Sequence, residues 1–474
     1  MNAISARPCS RKIPNSRDDG SQVPPRSLAF PMRPVWLPSD REVRQPIIDE
    51  KVIEMNHTRT AKYYYGLIVF VTFLTLVIAA GIRSAPAVLI VPFEEFFGWN
   101  RAEISLALSI NLLLNGLCGP FAAALMERYG VRPVIASALL LLGAGAGLTL
   151  WMQDMWQMIL LWGIVIGIGS GFLSTVFGTV VATRWFIQQR GLILGIFSAA
   201  GAAGQLLFLP LFANILEWFD WHVIVWVLVA AAFFSLALII LIMRNGPGEV
   251  GLVPYGTSAG DTVPDKTTDN PFQAVWQGLK TAVQSKAFWL LSASFFVCGA
   301  TSVGLIGTHF VSACVDHGIT AIFAAGLLSA ASVFNIIGVT AAGWLSDRYD
   351  NRWLLFWYYL VRGLALFLLP AVLVSDRVIL IIFVTVYGLN WIATVPSTIK
   401  LAADLFGDRS IVIFGWMMAL HQAGSALAAF YAGALQAALH SYTLVFISAA
   451  VLCLVAAMIV FLIPGQGHVS AETI

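Results

Sequence analysis

Twelve long apolar stretches, separated by short polar intervals, run along the chain between about residues 63 and 463. A helix needs about 20 mostly apolar residues to cross the hydrocarbon of a bilayer. The stretches at 63–91, 104–126, 133–152, 156–182, 191–215, 221–243, 287–312, 321–345, 353–374, 378–399, 411–437 and 441–463 reach that length. They are continuous, whereas strands of a membrane barrel alternate over about 10 positions, so a barrel is excluded. The pattern predicts an all-α membrane protein with twelve transmembrane helices. A polar interval at 244–286, rich in Gly, Pro, Thr and Asp, divides them six and six. It joins an N-terminal half at 63–243 to a C-terminal half at 287–463.

A short charged signature follows the second stretch of each half. The first copy runs from Ala123 through Glu127, Arg128, Tyr129 and Gly130 to Arg132, and the second from Gly343 through Asp347, Arg348 and Tyr349 to Arg352. A membrane chain with a repeated half is built like a transporter, with its site where the halves meet.

Within the linker, the segment from Phe272 to Lys286 sets Phe272 and Trp276 on one side and Lys280 on the other, the pattern of an interfacial helix. Gly163, Gly167 and Gly171 in the fourth stretch, and Gly191 and Gly195 in the fifth, recur every four residues. Small residues at that spacing let membrane helices approach closely, so both sets predict tight contacts. Residues 1–62 carry 11 of the 27 Lys and Arg residues, seven acids and no apolar run. They read as a disordered basic cytoplasmic tail and lack the apolar core of a secretory signal. Met55, just ahead of the first stretch, is a second candidate for the native start, which would make the upstream residues a translation-start artefact. The competing reading is a tail that touches anionic lipid. Residues 464–474 read as a short cytoplasmic tail.

Composition agrees with the pattern. The chain of 474 residues is 59% hydrophobic and 11% charged, with a mean hydropathy of +0.82, whereas soluble domains carry about 25% charged residues. The net charge of +2 says little; its placement says more. With the N-terminus in the cytoplasm, the inner loops hold twelve basic residues, among them Arg128, Arg132, Arg184, Arg190, Lys266, Arg348, Arg352 and Lys400, against Arg101 and Arg377 outside. Basic loops stay inside, so both termini and the linker are expected in the cytoplasm, with the chain multi-pass in the inner membrane. Cys9, Cys118, Cys298, Cys314 and Cys453 have no paired spacing and read as small packing residues, not metal ligands or disulfides.

The twelve-stretch layout and the two signatures resemble the major facilitator superfamily, whose loop motif runs Gly-x-x-x-Asp-Arg-x-Gly-x-Arg-Arg. Gly343, Asp347, Arg348 and Arg352 match it; the first copy has Ala123 for the Gly and Glu127 for the Asp, but keeps Arg128, Gly130 and Arg132. The resemblance implies that these charges latch one conformation, and that the protein works as a monomer. A narrower resemblance, to bacterial carriers of the monocarboxylate and oxalate/formate groups, rests on Gly81-Ile-Arg83-Ser84-Ala-Pro86, on Phe97-Gly98-Trp99-Asn-Arg101, on Arg184-Trp185-Phe186, and on Gly251-Leu-Val-Pro254-Tyr255-Gly256.

Ionisable groups within the bilayer cost at least about 2.5–3.5 kcal/mol on insertion scales, so each is a candidate for function. Arg83 lies about eight residues inside the first stretch, roughly 12 Å deep at 1.5 Å per residue, among Ala79, Ala80, Gly81 and Ala85. In the superfamily the first, fourth, seventh and tenth segments line the cavity, and the resemblance places a basic residue of the monocarboxylate carriers here. A guanidinium offers a planar fork suited to carboxylate; the competing reading is a snorkelling or paired arginine. Arg362 sits near the middle of the ninth stretch, which the resemblance makes outer scaffold. His309 and His421 can titrate near neutral pH. His309 lies near the outer end, where a gate and a proton site are both open readings, and His421 adjoins Gln422 in mid-segment. Asn115, Asn335, Tyr387 and Asn390 either glue helices or bind substrate.

The absences narrow the cargo. No Asp or Glu falls in the central part of any stretch, and Glu94, Glu95, Glu103, Glu217, Asp220, Asp316, Asp376 and Asp404 all lie near ends. A carrier of organic cations is expected to keep a buried carboxylate, and a positive cavity favours anions. The Asp and Arg of the animal monocarboxylate carriers' eighth segment fall on Asn335 and Val339, so their proton scheme does not carry over. The expectation is a secondary carrier of a small organic anion, a mono- or dicarboxylate, coupled to protons or to anion exchange. Efflux of amphipathic drugs is the alternative, and a non-transporting membrane sensor the alternative of another class. No metalloprotease, phosphate-loop or triad motif is present, so no enzyme, cofactor, metal or nucleic-acid partner is expected beyond the lipid bilayer.

Overall fold

The computed structural model describes residues 59–257 and 271–463. The tails, including Met55, and Lys266 lie outside them. Twelve of the helices are long and apolar enough to cross a membrane: Ala61–Phe97, Arg101–Tyr129, Val131–Trp151, Met155–Trp185, Arg190–Trp218, Trp221–Ile242, Lys286–Asp316, Ala321–Ser346, Asn351–Leu373, Arg377–Phe406, Ser410–Leu439 and Thr443–Leu462. The first span runs past residue 91 to Phe97 because Glu94, near its end, pairs with Arg101 at 2.6 Å. Arg83 is thereby about 14 residues, or ~21 Å, from that end, deeper than the sequence suggested.

Both signature loops lie at one end of the bundle, called here the signature end; the opposite end is the far end. Two pairs of spans form the most extensive contacts, or seams, between the halves. The second span runs antiparallel along the eleventh, with Gly116 against Gln422 and the Ala419 carbonyl, and Gly433 against Ser105 and the Arg101 carbonyl. A Cβ at Gly116 would overlap Gln422 and one at Gly433 would overlap Ser105, so these helices touch only because both positions are glycine. The fifth span meets the eighth where Ser332 Oγ donates to Gln205 Oε1 at 2.7 Å.

The linker helix Pro271–Ala282 straddles the first seam near the signature end. Trp416 Nε1 donates to the Val275 carbonyl at 3.0 Å, and Trp276 packs against Phe121 of the second span and Trp416 of the eleventh. Gly163, Gly167 and Gly171 pack against the second span at Ala107, Asn111 and Asn115. Gly191 and Gly195 have no such neighbour, so the spacing that predicted a contact in the fifth span misled: it opens space there instead.

Four spans are interrupted. The first breaks between Ser84 and Pro86, where the proline ring fits the first turn of the new helix. The fourth contains a π-helical turn at Ile159–Val165 and a break at Leu173 and Ser174. The seventh has a π-helical turn at Ala300–Ile306, and the tenth breaks between Asn390 and Thr394. These are every third span, alike in both halves. Broken spans expose backbone groups that protein or a water-filled cavity must satisfy.

Candidate substrate site

A helix break leaves carbonyls without their amide partners, and in two spans an arginine answers them. Arg83 of the first span donates from Nη1 to the Leu173 carbonyl at 3.3 Å, at the break of the fourth. Arg362 of the ninth donates from Nη2 to the carbonyls of Asn390 at 2.5 Å and Trp391 at 2.8 Å, at the break of the tenth.

Their surroundings differ. Arg83 is exposed although it lies deep in the first span, and its Nη1 reaches the fourth. Among the described residues no carboxylate pairs with it, and one of its five donors has a partner, at long range. A guanidinium with free donors is a ready site for an anion.

One turn along the fourth span from Leu173, a chain of polar side chains crosses the seam. Ser170 Oγ accepts from Asn115 Nδ2 at 2.9 Å. Asn115 Oδ1 accepts from Gln422 Nε2 at 3.1 Å, and Gln422 Oε1 lies 3.0 Å from His421 Nδ1. Because the Gln422 amide nitrogen is engaged with Asn115, its oxygen must accept from His421, so Nδ1 carries the hydrogen. His421 packs against Phe295 with the two rings tilted. Three residues singled out from sequence, Asn115, His421 and Gln422, thus meet, and Leu173 and Ser170 bring Arg83 alongside them.

The remaining candidates go elsewhere. Arg362 is fully buried; besides the two carbonyls, it donates to Asn390 Oδ1 at 3.1 Å and Thr301 Oγ1 at 3.4 Å. Asn390 spends its amide nitrogen on the Tyr358 carbonyl. Asn335 accepts from the Ile392 amide at 3.3 Å, inside the same break. Tyr387 donates to the Thr301 carbonyl in the π turn of the seventh span. Arg362, Asn335 and Tyr387 attend to irregular backbone, and Asn390 ties the tenth-span break to the ninth span. His309 is fully buried at the far end, between Tyr442 Oη at 3.0 Å and the Ala429 carbonyl at 2.9 Å.

The signature charges form two networks, each within its own half. Arg184 donates to the carbonyls of Met126 and Asn245, and Arg132 to that of Ile240, near Glu127 and Arg128. Asn245 in turn donates to Glu249, and this bond holds the Glu249 carboxyl below the usual carboxylate range. In the second half Asp347 pairs with Lys400 at 3.1 Å, Arg348 lies over Trp344, and Ser346 Oγ donates to the Gly343 carbonyl. Arg352 bonds Asp350 and holds its carboxyl below the usual range. The two other sequence motifs also meet: Tyr255 donates its amide to the Trp185 carbonyl at 2.8 Å, docking the start of the linker on the fourth span.

Sequence reasoning missed Asn111, which donates to the Trp162 carbonyl freed by the fourth span's π turn. It also missed the partners of Cys298, read as a packing residue and set 3.1 Å from Thr394, and of Arg101, read as an outer basic residue and as part of the Phe97–Arg101 motif. The asparagine carried a signal, a polar amide in an apolar span; the other two carried none, since their partners are distant in sequence.

The family model described as the Major Facilitator Superfamily matches residues 71–408 and again 314–472. The chain is 26% identical over 387 residues to the MFS-type transporter YcxA of Bacillus subtilis (strain 168), whose own function is uncharacterized, covering 79% of this chain and 90% of that one. It is 24% identical over 403 residues to monocarboxylate transporter 13 of Rattus norvegicus, covering 84% and 88%. By fold it is similar to a bacterial homolog of the human lysosomal transporter Spinster in an inward-facing, unoccupied conformation. The TM-score is 0.65 at 14% identity, over 84% of this chain and 97% of that one.

Proposed function

Since the chain belongs to the major facilitator superfamily, and is a transporter and not an enzyme, we propose that it is a secondary active carrier of a small organic anion, a mono- or dicarboxylate. The observation that carries this reading is Arg83: an exposed cation deep in the first span, with spare donors and no carboxylate partner among the described residues. The name of the rat relative, a monocarboxylate transporter, points the same way. The anion binds Arg83 beside the Asn115–Gln422 bridge, and the halves rock about it to expose it to either face. His421, hydrogen-bonded to the bridge, is the group through which a proton couples to the anion; exchange of a second anion is the other mode of coupling. The signature end faces the cytoplasm of the inner membrane, as the basic loops require, and its charges latch the conformation in which that end closes.

Uptake of radiolabelled pyruvate, lactate or oxalate into vesicles tests the reading. A charge-assisted hydrogen bond contributes about 1.5–3 kcal/mol, so Arg83→Ala should lower uptake at least about tenfold, while Arg83→Lys keeps part of it. Unimpaired uptake by the Ala variant sinks the proposal, and accumulation of amphipathic dyes in place of acids would favour efflux.

A further inference from the structure

At the far end one residue, Arg101, has partners in both halves. Gly98, with φ of 70°, ends the first span; only glycine takes that conformation without strain. Asn100 then starts the second span with a reciprocal capping box to Glu103. This tight turn folds Arg101 back over the first span, where Nε and Nη2 grip the two oxygens of Glu94 at 2.7 and 2.6 Å. The remaining nitrogen, Nη1, crosses to the second half. It donates to Asp316, the last residue of the seventh span, at 2.6 Å and to Tyr442 Oη at 3.2 Å. Tyr442 Oη in turn lies 3.0 Å from His309 Nδ1. His309 Nε2 faces the Ala429 carbonyl, which can only accept, so Nε2 bears the hydrogen and Nδ1 accepts from Tyr442. Gln436 Nε2 donates to Asp316 at 3.0 Å. The Arg101 side chain is 6% exposed, those of Glu94 and Asp316 20% and 26%.

The cluster separates cleanly into what must break and what can stay. Opening the far end parts the halves, so the bonds of Arg101 to Asp316 and Tyr442 must go. The fork on Glu94 lies within the first half and survives, as does the Gln436 bond to Asp316 within the second. Stripping a buried ion of its partner is heavily disfavoured, but here neither Arg101 nor Asp316 is stranded. The arrangement suits a contact that is made and broken in every cycle.

We infer that Arg101, held in place by Glu94, is the gating residue of the far end. Its bonds to Asp316 and Tyr442 keep that face closed, and transport passes through their rupture. His309 is part of this gate and sets the direction of the Tyr442 hydroxyl. The assignment does not depend on the cargo.

The test reads the gate and not the transport. Spin labels at Gln153→Cys and Val374→Cys sit in far-end loops of the first and second half, away from the cluster, and pulsed distance measurements on the full-length protein report the separation of the halves. The Asp316→Asn variant should raise the ratio of long to short separations on the order of tenfold, the worth of one charge-assisted bond. Glu94→Gln, which removes only the bond within the first half, should leave the far end closed. No change in Asp316→Asn overturns the assignment, and so does equal opening by both variants, which would mean general loosening. Should Asp316→Asn fail to fold, Tyr442→Phe takes its place with a smaller shift in the same direction, and its absence counts equally against the gate.

Discussion

At the break of the fourth span, Arg83 reaches one carbonyl with one long bond and keeps its other donors free. At the break of the tenth, Arg362 holds two carbonyls, an asparagine oxygen and a threonine hydroxyl, and is fully buried. Both arginines stand in the membrane without a carboxylate partner among the described residues, and both donate to carbonyls at a helix break. The difference lies in saturation. A guanidinium with its donors spent is a structural rivet, and no anion can displace four bonds to gain two. A guanidinium with donors to spare gains most when an anion arrives. On the proposed function the less well satisfied half is the one that binds the anion, and the fully satisfied one supplies the rigid wall.

The largest effect should come from removing the rivet. Arg362→Leu strands carbonyls at the buried tenth-span break, and each buried acceptor left unsatisfied costs about 1–3 kcal/mol. Thermal unfolding in detergent should show a steep loss of stability or no folded protein. Arg83→Ala, by contrast, should cost under about 1 kcal/mol, the worth of one weak neutral-acceptor bond. Equal destabilisation by the two would erase the distinction between wall and site.

The spans were legible because twenty apolar residues in a row have few other uses, and the halves because the signature recurs at Glu127 and Asp347. The breaks were not. Pro86 marks one of them, but Gly171-Phe-Leu-Ser174 and Asn390-Trp-Ile-Ala393 contain no proline, and nothing in the sequence announces a π-helical turn. Without the breaks, Arg362, Asn335, Asn390 and Tyr387 look like polar groups awaiting a substrate. With them, each has a backbone partner. Arg101 was illegible for another reason: its partner Asp316 lies 215 residues away, and a charge at a segment end otherwise reads as a solvated loop residue. Pattern reading recovers what repeats along the chain and misses what is paired across it.

A middling effect should follow from cutting the bridge beside Arg83. Asn115→Ala and Gln422→Ala each remove one end of the bond across the seam. Side-chain hydrogen bonds between membrane helices average about 0.6 kcal/mol in double-mutant cycles, with a maximum near 1.7. A cycle on unfolding free energy should give a coupling of about 0.5–1.5 kcal/mol. A coupling near zero would mean that the two amides are neighbours only, and that the seam at this depth is held by the Gly116 contact alone.

The smallest effect separates the two breaks once more, at their amide side. Ser174 Oγ accepts from the Val176 amide at 3.4 Å after the fourth-span break, and Asn335 Oδ1 from the Ile392 amide at 3.3 Å within the tenth. Loss of a helix-capping oxygen costs about 0.5–2 kcal/mol in general, but the two sites differ in what replaces it. Ser174 is partly exposed and adjoins Leu173, whose carbonyl the exposed Arg83 contacts, so water can reach the freed amide and Ser174→Ala should cost under about 0.5 kcal/mol. Ile392 sits beside buried Asn390 and Trp391, in the wall riveted by Arg362, so Asn335→Ala should cost about 1 kcal/mol or more. Chemical unfolding of the two variants gives the ordering. A reversed order would put water at the tenth-span break and dry protein at the fourth, and would move the expected anion from Arg83 to the other half.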